Sequence, residues 1–466
     1  MMDLETSFEA YLAHLCEALG HNDRESGLRG YCQGLMLPIR CKSVEPLAAH
    51  LEPEHVGARY QSLHHFVAKS EWSDEALLEQ VRRWVLPHMD PAGGLYWIID
   101  DTGFPKKGKH SVGVARQYCG QLGKQDNCQV AVSLLVATAE ASLPVSYRLY
   151  LPREWSDAPE RRQKVGVPEQ IEFATKPEIA AGQLCEARQS GAPDGVVLAD
   201  AGYGDDTSFR EAVGELGLQY AVGIRSNTRV WAPGSAPLPP ELSAGKSGRP
   251  RSLLRRAPGH EPIGVKDLAL TLDASHYRTV IWREGTCTAL NSRFAAVRVR
   301  ASHRDYWRPT LRDEEWLLTE WPEGDAEPLK YWLSTLPPDT TLDRLVHVAK
   351  MRWRIVRDYQ DLKQEFGLGH FEGRGSRGFH HHASLCIAAY GFLVAQRLIQ
   401  GGSKKTPRSA IHLPYPRITC HAGPQRAQRH VADSITTLRW RIAAYIARRL
   451  QRCPICSTSN ADLLTQ

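Results

Sequence analysis

The chain has 466 residues, a formal net charge of +6 and 11 cysteines. This length predicts about three domains at ~150 residues each and leaves ample chain for a large core. Because the net charge is modest, the clustering of arginine and lysine is what indicates a polyanionic partner. The cysteines stand singly except for Cys453 and Cys456. This pattern is typical of reduced thiols in a cytoplasmic protein and excludes a disulfide-stapled secreted domain.

Membrane insertion and secretion are not expected from the sequence. The chain begins MMDLETSFEAYLAHL, with early acidic residues and no basic-then-apolar signal pattern. The longest apolar runs, 129–139 and 384–395, fall short of the ~20 residues that a bilayer helix requires. We therefore expect no membrane partner.

Residues 1–90 are predicted to be helical. Basic residues recur through this region, namely Arg24, Arg29, Arg40, Lys42, Arg82 and Arg83. One helix is expected to begin near Ser43, with Pro46 in its first turn, where proline is tolerated. The region is either a DNA-binding domain or an ordinary helical domain with solvated charges, because no recognition helix can be identified from pattern alone.

From residue 95 the pattern changes to strands. Apolar or β-branched runs predict strands at 95–100, 129–137 and 144–151, followed by a helix at 177–189 and a strand at 195–200. A helix at 208–216 and a strand at 219–224 complete the series. This order is the layout of a ribonuclease-H-like core, whose first part we assign to residues 91–229.

Carboxylates follow two of these predicted strands. The first strand ends at Asp100 and Asp101, within IIDDTGF, and the fourth ends at Asp200. Aspartate pairs also begin turns, which is the alternative role for Asp100 and Asp101. In a ribonuclease-H-like sheet the first and fourth strands are neighbours, so Asp100 and Asp200 would lie together. Mg²⁺ (or Mn²⁺) would relieve their repulsion, and two ions about 3.5–4 Å apart could activate a water or a 3′-hydroxyl.

A β-rich insertion is predicted at 230–338. It begins with a Pro/Gly/Arg-rich stretch at 232–263 that reads as an exposed linker or loop. Short strands are predicted at 278–282, 294–299, 316–319 and 331–334. The alternative is that these strands form an independent domain.

The core is expected to be completed by residues 339–400, beginning with a helix at 342–365. At about 100° per residue, Arg352, Val356, Tyr359 and Lys363 share one face of this helix. A neighbouring apolar stripe, formed by Ile355, Leu362 and Phe366, is predicted to be core.

Three blocks carry a resemblance to a known family. They are IDDTGFPKKGKHSVGVARQYCGQLGK, LADAGYG and RWRIVRDYQDLKQEFGLGHFEGR. In this order they resemble the core blocks of DDE transposases of bacterial insertion sequences, of the insertion-sequence 701 type. The resemblance covers most of the chain, including GYCQGLMLPIRCKSVEPLAA near the amino terminus. It implies that Asp100 and Asp200 are the first two metal-binding acids and that a β-rich insertion precedes the last core helix.

The same resemblance implies the partners and the compartment. Double-stranded DNA, as transposon ends and target, would be the substrate, and a homodimer would assemble on it. The protein would be a cytoplasmic, nucleoid-associated bacterial protein.

The position of the third acid departs from the family. The related group carries Tyr, two residues, Arg, three residues, Glu, six residues and Lys, which aligns with Ala349, Arg352, Val356 and Lys363. Arg352 and Lys363 match, but Val356 stands where the catalytic Glu is expected and cannot bind a metal. The alternative is that Glu365 or Asp361 has taken over through a distorted helix, although neither lies on the same face of an ideal helix as position 356.

Further basic residues are candidates for DNA contacts. Five of them lie within the first and third of these blocks: Lys106, Lys107, Arg116, Arg352 and Arg374. The alternative for the residues that follow the first acid is a solvated loop. Three histidines at 380–382 could bind metal, but DNA-backbone contact or plain surface is the preferred interpretation.

The tail, 401–466, is predicted to be a basic linker followed by an amphipathic helix at about 435–450. A single Cys453/Cys456 pair lacks a second ligand pair for zinc and is interpreted as free thiols.

The sequence leaves two classes of function open. One is a metal-dependent transposase that cleaves and joins DNA at terminal inverted repeats. The other is a transposase-derived DNA-binding protein with impaired catalysis.

Overall fold

A computed structural model describes residues 3–240, 252–284, 289–401 and 434–451. Its first part consists of helices α1 (Leu4–Cys16), α2 (Glu25–Met36), α3 (Val44–Leu51), α4 (Val56–Ala68) and α5 (Asp74–Val85). Side chains cap two of them, because Asp3 accepts from the Thr6 N–H and Ser73 accepts from the Ala76 N–H. Ser43 precedes α3 as predicted, but its side chain makes no capping hydrogen bond.

A mixed sheet follows. Its first strands are β1 (Tyr96–Pro105), β2 (Ala115–Cys119), β3 (Lys124–Ala137) and β4 (Ser142–Leu149). After the short helices α6 (Arg153–Ser156) and α7 (Pro159–Lys164) come α8 (Lys176–Gln189), β5 (Val196–Ala199), α9 (Ala201–Gly204), α10 (Thr207–Glu215) and β6 (Tyr220–Ile224). Strand β1 lies between β3, to which it is antiparallel, and β5, to which it is parallel, and β6 is parallel to β5.

The first strand is longer than the sequence predicts. The Asp-Asp-Thr-Gly stretch does not form a turn, because every residue of β1 from Tyr96 to Pro105 is paired with β3. The reason is the length of β3, whose 14 residues supply partners beyond the acids. The pairing of β1 with β5 ends at Ile98 and Leu198, so Asp100 lies just past the parallel part of the sheet.

The strands of 230–338 extend the same sheet. They are β7 (Arg229–Trp231), β8 (Ile263–Gly264), β9 (Arg278–Glu284), β10 (Ala289–Ala301), β11 (Glu315–Trp321) and β12 (Lys330–Ser334), with helix α11 (Val265–Thr271) after β8. Strand β12 is antiparallel to β6, and β11 and β10 follow it outward. The strands of this region are therefore part of the sheet that contains β1 and β5.

The helix predicted at 342–365 is two helices, α12 (Leu342–Lys350) and α13 (Trp353–Gln364). At the junction two backbone hydrogen bonds span three residues, as in a 3₁₀-helix, instead of four. The Arg354 N–H donates to the Met351 carbonyl, and the Ile355 N–H donates to the Arg352 carbonyl. The prediction of one continuous helix was therefore wrong, and Arg352 lies at the break.

Helix α14 (Ser376–Gly401) lies at the centre of the helical part. It is long and apolar enough to cross a membrane, but 83% of its apolar window is buried inside the protein. Tyr11 donates to the Ala388 carbonyl and Gln396 donates to the Ser7 hydroxyl, which joins α1 to this helix. Helix α15 (Ile435–Ala447) packs against α2 and α14. The protein is therefore a mixed α/β fold with helices packed around a shared core helix.

Some predicted features lie outside the described residues. These are part of the 232–263 stretch, the linker that follows residue 401, and the Cys453/Cys456 pair.

Candidate active site

Asp100 and Asp200 come together at the edge of the parallel strands. The β1–β5 register pairs Tyr96 with Val196 and Ile98 with Leu198, so the two aspartates occupy matching positions two residues further on. One guanidinium nitrogen, Nη2 of Arg352, lies 2.9 Å from Oδ2 of Asp100 and 3.2 Å from Oδ2 of Asp200. The break between α12 and α13 thus holds a positive charge between the two carboxylates.

Asp100 ionises less readily than an exposed aspartate. Burial raises the pKa of Asp100 to about 6, and the carboxylates of Asp200 and Asp101 act in the same direction, while Arg352 opposes them. A divalent cation would favour ionisation in the same way as Arg352 does.

Asp101 faces away from this pair. Successive side chains of a strand point to opposite faces of the sheet, and Asp101 Oδ2 accepts from Lys176 Nζ of α8 at 2.6 Å. Of the two adjacent acids, Asp100 is the one that lies beside Asp200. No pattern in the sequence connects Lys176 with Asp101, and sequence reasoning missed that ion pair.

Asp200 begins a short turn of helix. Its Oδ1 accepts from the Gly202 N–H at 2.8 Å, so the residue both caps α9 and offers Oδ2 to the site. Gly204 allows α9 to lie directly on β6, since a methyl group there would meet the Gly223 carbonyl oxygen at 2.0 Å. This contact determines the distance of α9 from the sheet.

One face of α13 runs along β1. The hydroxyls of Tyr359 and Ser133 are hydrogen-bonded, and Ser133 also donates to the Asp100 carbonyl at 3.4 Å. Lys363 Nζ donates to the Gly103 carbonyl at 3.2 Å and to the Gln121 side chain at 3.3 Å. Burial lowers the pKa of Lys363. Arg352, Tyr359 and Lys363 therefore face the strand that carries Asp100.

Val356 lies on the same helix with 64% of its surface exposed. Its isopropyl group offers no oxygen or nitrogen for a metal. The acids of α13 and its end have other partners: Asp358 accepts from Tyr390 at 2.7 Å, Asp361 pairs with Arg357 at 3.3 Å, and Glu365 pairs with Arg439 at 2.7 Å. The geometry gives no support to replacement of the missing Glu by Asp361 or Glu365.

Most of the basic residues predicted to contact DNA lie around the carboxyl-terminal end of β1. Lys106 Nζ donates to the Phe371 carbonyl at 2.8 Å, and the Val112 N–H donates to the Arg374 carbonyl at 3.0 Å, so the loop after β1 lies against the loop before α14. Burial lowers the pKa of Lys106. Lys107, Arg116 and Arg374 are exposed.

The histidines at 381 and 382 are not surface residues. His382 is buried between the Tyr31 hydroxyl, 2.8 Å from Nδ1, and the Gly367 carbonyl, 2.9 Å from Nε2. His381 lies between the backbone carbonyls of Val67 and Trp72. The interpretation of this pair as DNA contact or surface was wrong, because apolar helix packing buries the pair.

The donor set suits one divalent ion better than two. Asp100 and Asp200 offer hard carboxylate oxygens, which Mg²⁺ and Mn²⁺ prefer. Across the part of the chain that is described, no group of three or more His, Cys, Asp or Glu side chains is arranged to hold a metal ion. A second ion would need a further carboxylate, and position 356 does not provide one.

The chain is similar in sequence to known proteins. A family model described as "DDE superfamily endonuclease" matches residues 14–289. The "Probable transposase for insertion sequence element IS701" of Microchaete diplosiphon is 36% identical over 168 residues, which are 36% of this chain and 41% of that protein. The chain thus matches less than half of the length of this relative.

A more distant likeness is to a solved piggyBac transposase synaptic complex with hairpin DNA. It covers 80% of this chain and 56% of that one, with 8% identity and a TM-score of 0.39. The family assignment rests on the family model, which spans more than half of the chain. The chain belongs to the DDE superfamily of endonucleases.

Proposed function

We propose that the protein is a DNA transposase of an insertion sequence, which cleaves and joins phosphodiester bonds at terminal inverted repeats. The observation that carries this proposal is the juxtaposition of Asp100 and Asp200, which share Arg352 at the edge of two adjacent parallel strands. The sequence likeness to a transposase over 168 residues supports it. The order β4–β3–β1–β5–β6, in which β3 runs opposite to the other four strands, supports a ribonuclease-H-like core with 230–338 as its insertion.

The proposed substrate is double-stranded DNA. Three exposed cations lie in the segments around the carboxyl-terminal end of β1: Lys107 follows β1, Arg116 is on β2 and Arg374 precedes α14. They could bind phosphates there. The amino-terminal helices are a weaker candidate for DNA binding. Arg29 pairs with Glu9 and Glu25, and Arg82 and Arg83 pair with Glu79, so these charges are largely compensated.

The proposed cofactor is Mg²⁺ or Mn²⁺, held by Asp100 and Asp200. When bound, it would supply Lewis-acid stabilisation to the reacting phosphate. Binding of this ion would require Arg352 to break its contacts with the two carboxylates. Arg352 would then be free to pair with a DNA phosphate, and Lys363 would remain beside β1.

A second candidate function is a transposase-derived DNA-binding protein with impaired cleavage. The exposed Val356 favours it, together with the engagement of Asp358, Asp361 and Glu365 elsewhere. In this case the protein binds transposon ends and cuts them slowly or not at all.

Strand cleavage separates the two functions. Labelled DNA carrying the element's inverted repeats is incubated with Mg²⁺ and the wild-type chain, Val356→Glu, or Asp100→Asn. We expect Val356→Glu to cleave at least tenfold faster than wild type, because it adds the third carboxylate. Val356→Gln, of similar size but uncharged, is the matched control and should not gain activity.

Other results of the same assay would contradict these proposals. Full-rate cleavage by wild type that is lost on Glu365→Ala would refute impaired catalysis. Absence of both specific binding and cleavage, with Val356→Glu included, would refute the transposase proposal.

A further inference from the structure

Lys350, the last residue of α12, is enclosed by side chains from four strands. Its Nζ donates to both carboxylate oxygens of Glu320 on β11, each at 2.7 Å. Three aromatic ring centres lie around the same ammonium group, at 4.7 Å for Trp282 of β9, 5.4 Å for Phe294 of β10 and 5.4 Å for Trp332 of β12. The side chains of Lys350 and Glu320 are only 12% and 7% exposed. Separating such a buried pair leaves charges without compensation, so Lys350 has little freedom to move away from these strands.

The other side of the helix junction contacts the same strands. Trp353 is the first residue of α13, and its ring centre lies 3.9 Å from the guanidinium carbon of Arg283 on β9. The break between α12 and α13, at residues 351 and 352, lies between this contact and Lys350. We refer to the contacts of Lys350 with Glu320 and the three rings, and of Trp353 with Arg283, as the junction contacts. They fix the backbone of the break relative to β9–β12.

Arg352 is the residue that this break presents to the candidate active site. Its Nη2 lies 2.9 Å from Oδ2 of Asp100 and 3.2 Å from Oδ2 of Asp200. Its Nε is buried and has no hydrogen-bond partner among the described residues. The guanidinium therefore lacks a complete set of hydrogen bonds, and the position of its backbone contributes to keeping it between the two acids.

We propose that strands β9–β12 control the occupancy of the Asp100–Asp200 site by a divalent ion, with Lys350 and Trp353 as positioning residues for Arg352. This inference rests on the proposed cofactor site. The ion and the Arg352 guanidinium compete for the same carboxylate oxygens, so the ion binds only those molecules in which Arg352 has left.

The junction contacts set the size of that population. The apparent Kd for the ion equals the intrinsic Kd divided by the fraction of molecules in the binding-competent state. Contacts that keep Arg352 between the acids lower this fraction. Loosening them raises the fraction, and the apparent affinity for the ion rises with it.

Binding of Mn²⁺ to the full-length protein without DNA, followed by electron paramagnetic resonance of the free ion, tests this inference. We expect Lys350→Met to bind Mn²⁺ about fivefold more tightly than wild type, and Arg352→Ala about 20-fold more tightly. The double variant Lys350→Met/Arg352→Ala should bind like Arg352→Ala, because Lys350 acts only through Arg352. Lys350→Arg keeps a cation for Glu320 and the rings and should stay within about twofold of wild type.

Further variants separate loosened contacts from a change in the local electric field. Glu320→Gln removes a negative charge where Lys350→Met removes a positive one, so a field effect would change the affinity in opposite directions. Loosened contacts predict tighter binding in both. Arg278→Ala breaks the exposed pair of β9 with Asp343, near the start of α12, and should leave the Kd within about twofold of wild type.

One double variant guards against poor folding of the single ones. Lys350→Met/Glu320→Gln removes the junction ion pair without leaving a buried charge uncompensated. It should also bind Mn²⁺ more tightly than wild type.

The outcomes separate this inference from the proposed cofactor site. Mn²⁺ binding that Asp100→Asn abolishes, but that is equal in wild type, Lys350→Met and the double variant, overturns the inference and leaves the cofactor site standing. Opposite changes in Lys350→Met and Glu320→Gln overturn it in favour of a field effect. Absence of Mn²⁺ binding in both wild type and Arg352→Ala contradicts the cofactor site, and with it the control of its occupancy.

Discussion

Arg352 lies between two carboxylates that would otherwise repel each other more strongly. Its side chain comes from the break between two helices, and it is partly buried with its partners. Removing one member of such a cluster leaves charges without compensation, which costs more than the pair contributed. The stability of the protein and its metal binding are therefore coupled through this residue.

We expect Arg352→Ala to lower the free energy of unfolding by about 1–2 kcal/mol in metal-free buffer. Arg278→Ala is the matched control, since it breaks an arginine–carboxylate pair with Asp343 of α12 in which the side chains are 58% and 61% exposed, and it should cost less than about 0.5 kcal/mol. Chemical denaturation measures both. Mg²⁺ should raise the Tm of Arg352→Ala more than that of wild type, and equal responses would contradict a shared cation position.

At the scale of elements, α13 and α9 position the site from two sides. The face of α13 predicted from a 100° repeat is the face that contacts β3 through Tyr359 and β1 through Lys363. Helix α9 approaches β6 so closely that Gly204 contacts the backbone of Gly223. The position of Asp200, directly before α9, depends on this close packing.

We expect Gly204→Ala to destabilise the protein by about 3 kcal/mol, because the new methyl group overlaps a sheet carbonyl that cannot easily move. Gly214→Ala is the control, since its methyl group would have no neighbour within 4 Å in α10. There the better helix propensity of alanine should stabilise by about 0.5–1 kcal/mol. Thermal denaturation should therefore move in opposite directions for the two variants, and a similar loss in both would contradict the proposed packing.

At the scale of the whole molecule, α14 joins the amino-terminal helices, α15 and the sheet. Its buried His382 accepts from Tyr31 of α2 and donates to the Gly367 carbonyl, which requires the neutral ring. Burial lowers the pKa of His382 to about 4. Protonation of this one ring therefore weakens contacts between several parts of the fold.

The sign of the pH dependence follows from this shift. Keeping His382 neutral contributes to the free energy of unfolding. This contribution is fully present above pH 6.5 and is lost as the pH falls from about 6.5 towards 4. Its slope is at most about 1.4 kcal/mol per pH unit for one proton. Asp358 acts in the opposite direction, because burial raises its pKa to about 6. Its contribution to the free energy of unfolding is lost as the pH rises from 3.8 through 6. The two slopes partly cancel in wild type.

We therefore expect His382→Gln to be less stable than wild type at pH 7 and to lose less stability between pH 6.5 and 4.5. The difference between the two unfolding curves isolates the histidine from Asp358. His110→Gln, at an exposed position, should follow wild type at every pH. Parallel curves for wild type and His382→Gln would contradict a neutral buried ring.

Much of this architecture could be predicted from local pattern. The strands around Ile98, Leu134 and Leu198, and the buried stripe of α13 with Ile355 and Leu362, follow from apolar periodicity, because burial of one face imposes a period on the sequence. The candidate acids Asp100 and Asp200, and the valine at position 356, were also readable from the residues alone. Local pattern did not predict that β1 continues past Asp101, because this depends on the length of β3.

The tertiary structure alone decided which charges meet. The Asp101–Lys176, Asp200–Arg352 and Glu365–Arg439 pairs join residues that are 74 to 152 positions apart, and no local period connects them. The same holds for the burial of His382. The sequence by itself determined the strands, the helix faces and the candidate acids, because these depend on near neighbours. Packing of distant segments determined which of those acids share a cation and which are paired elsewhere.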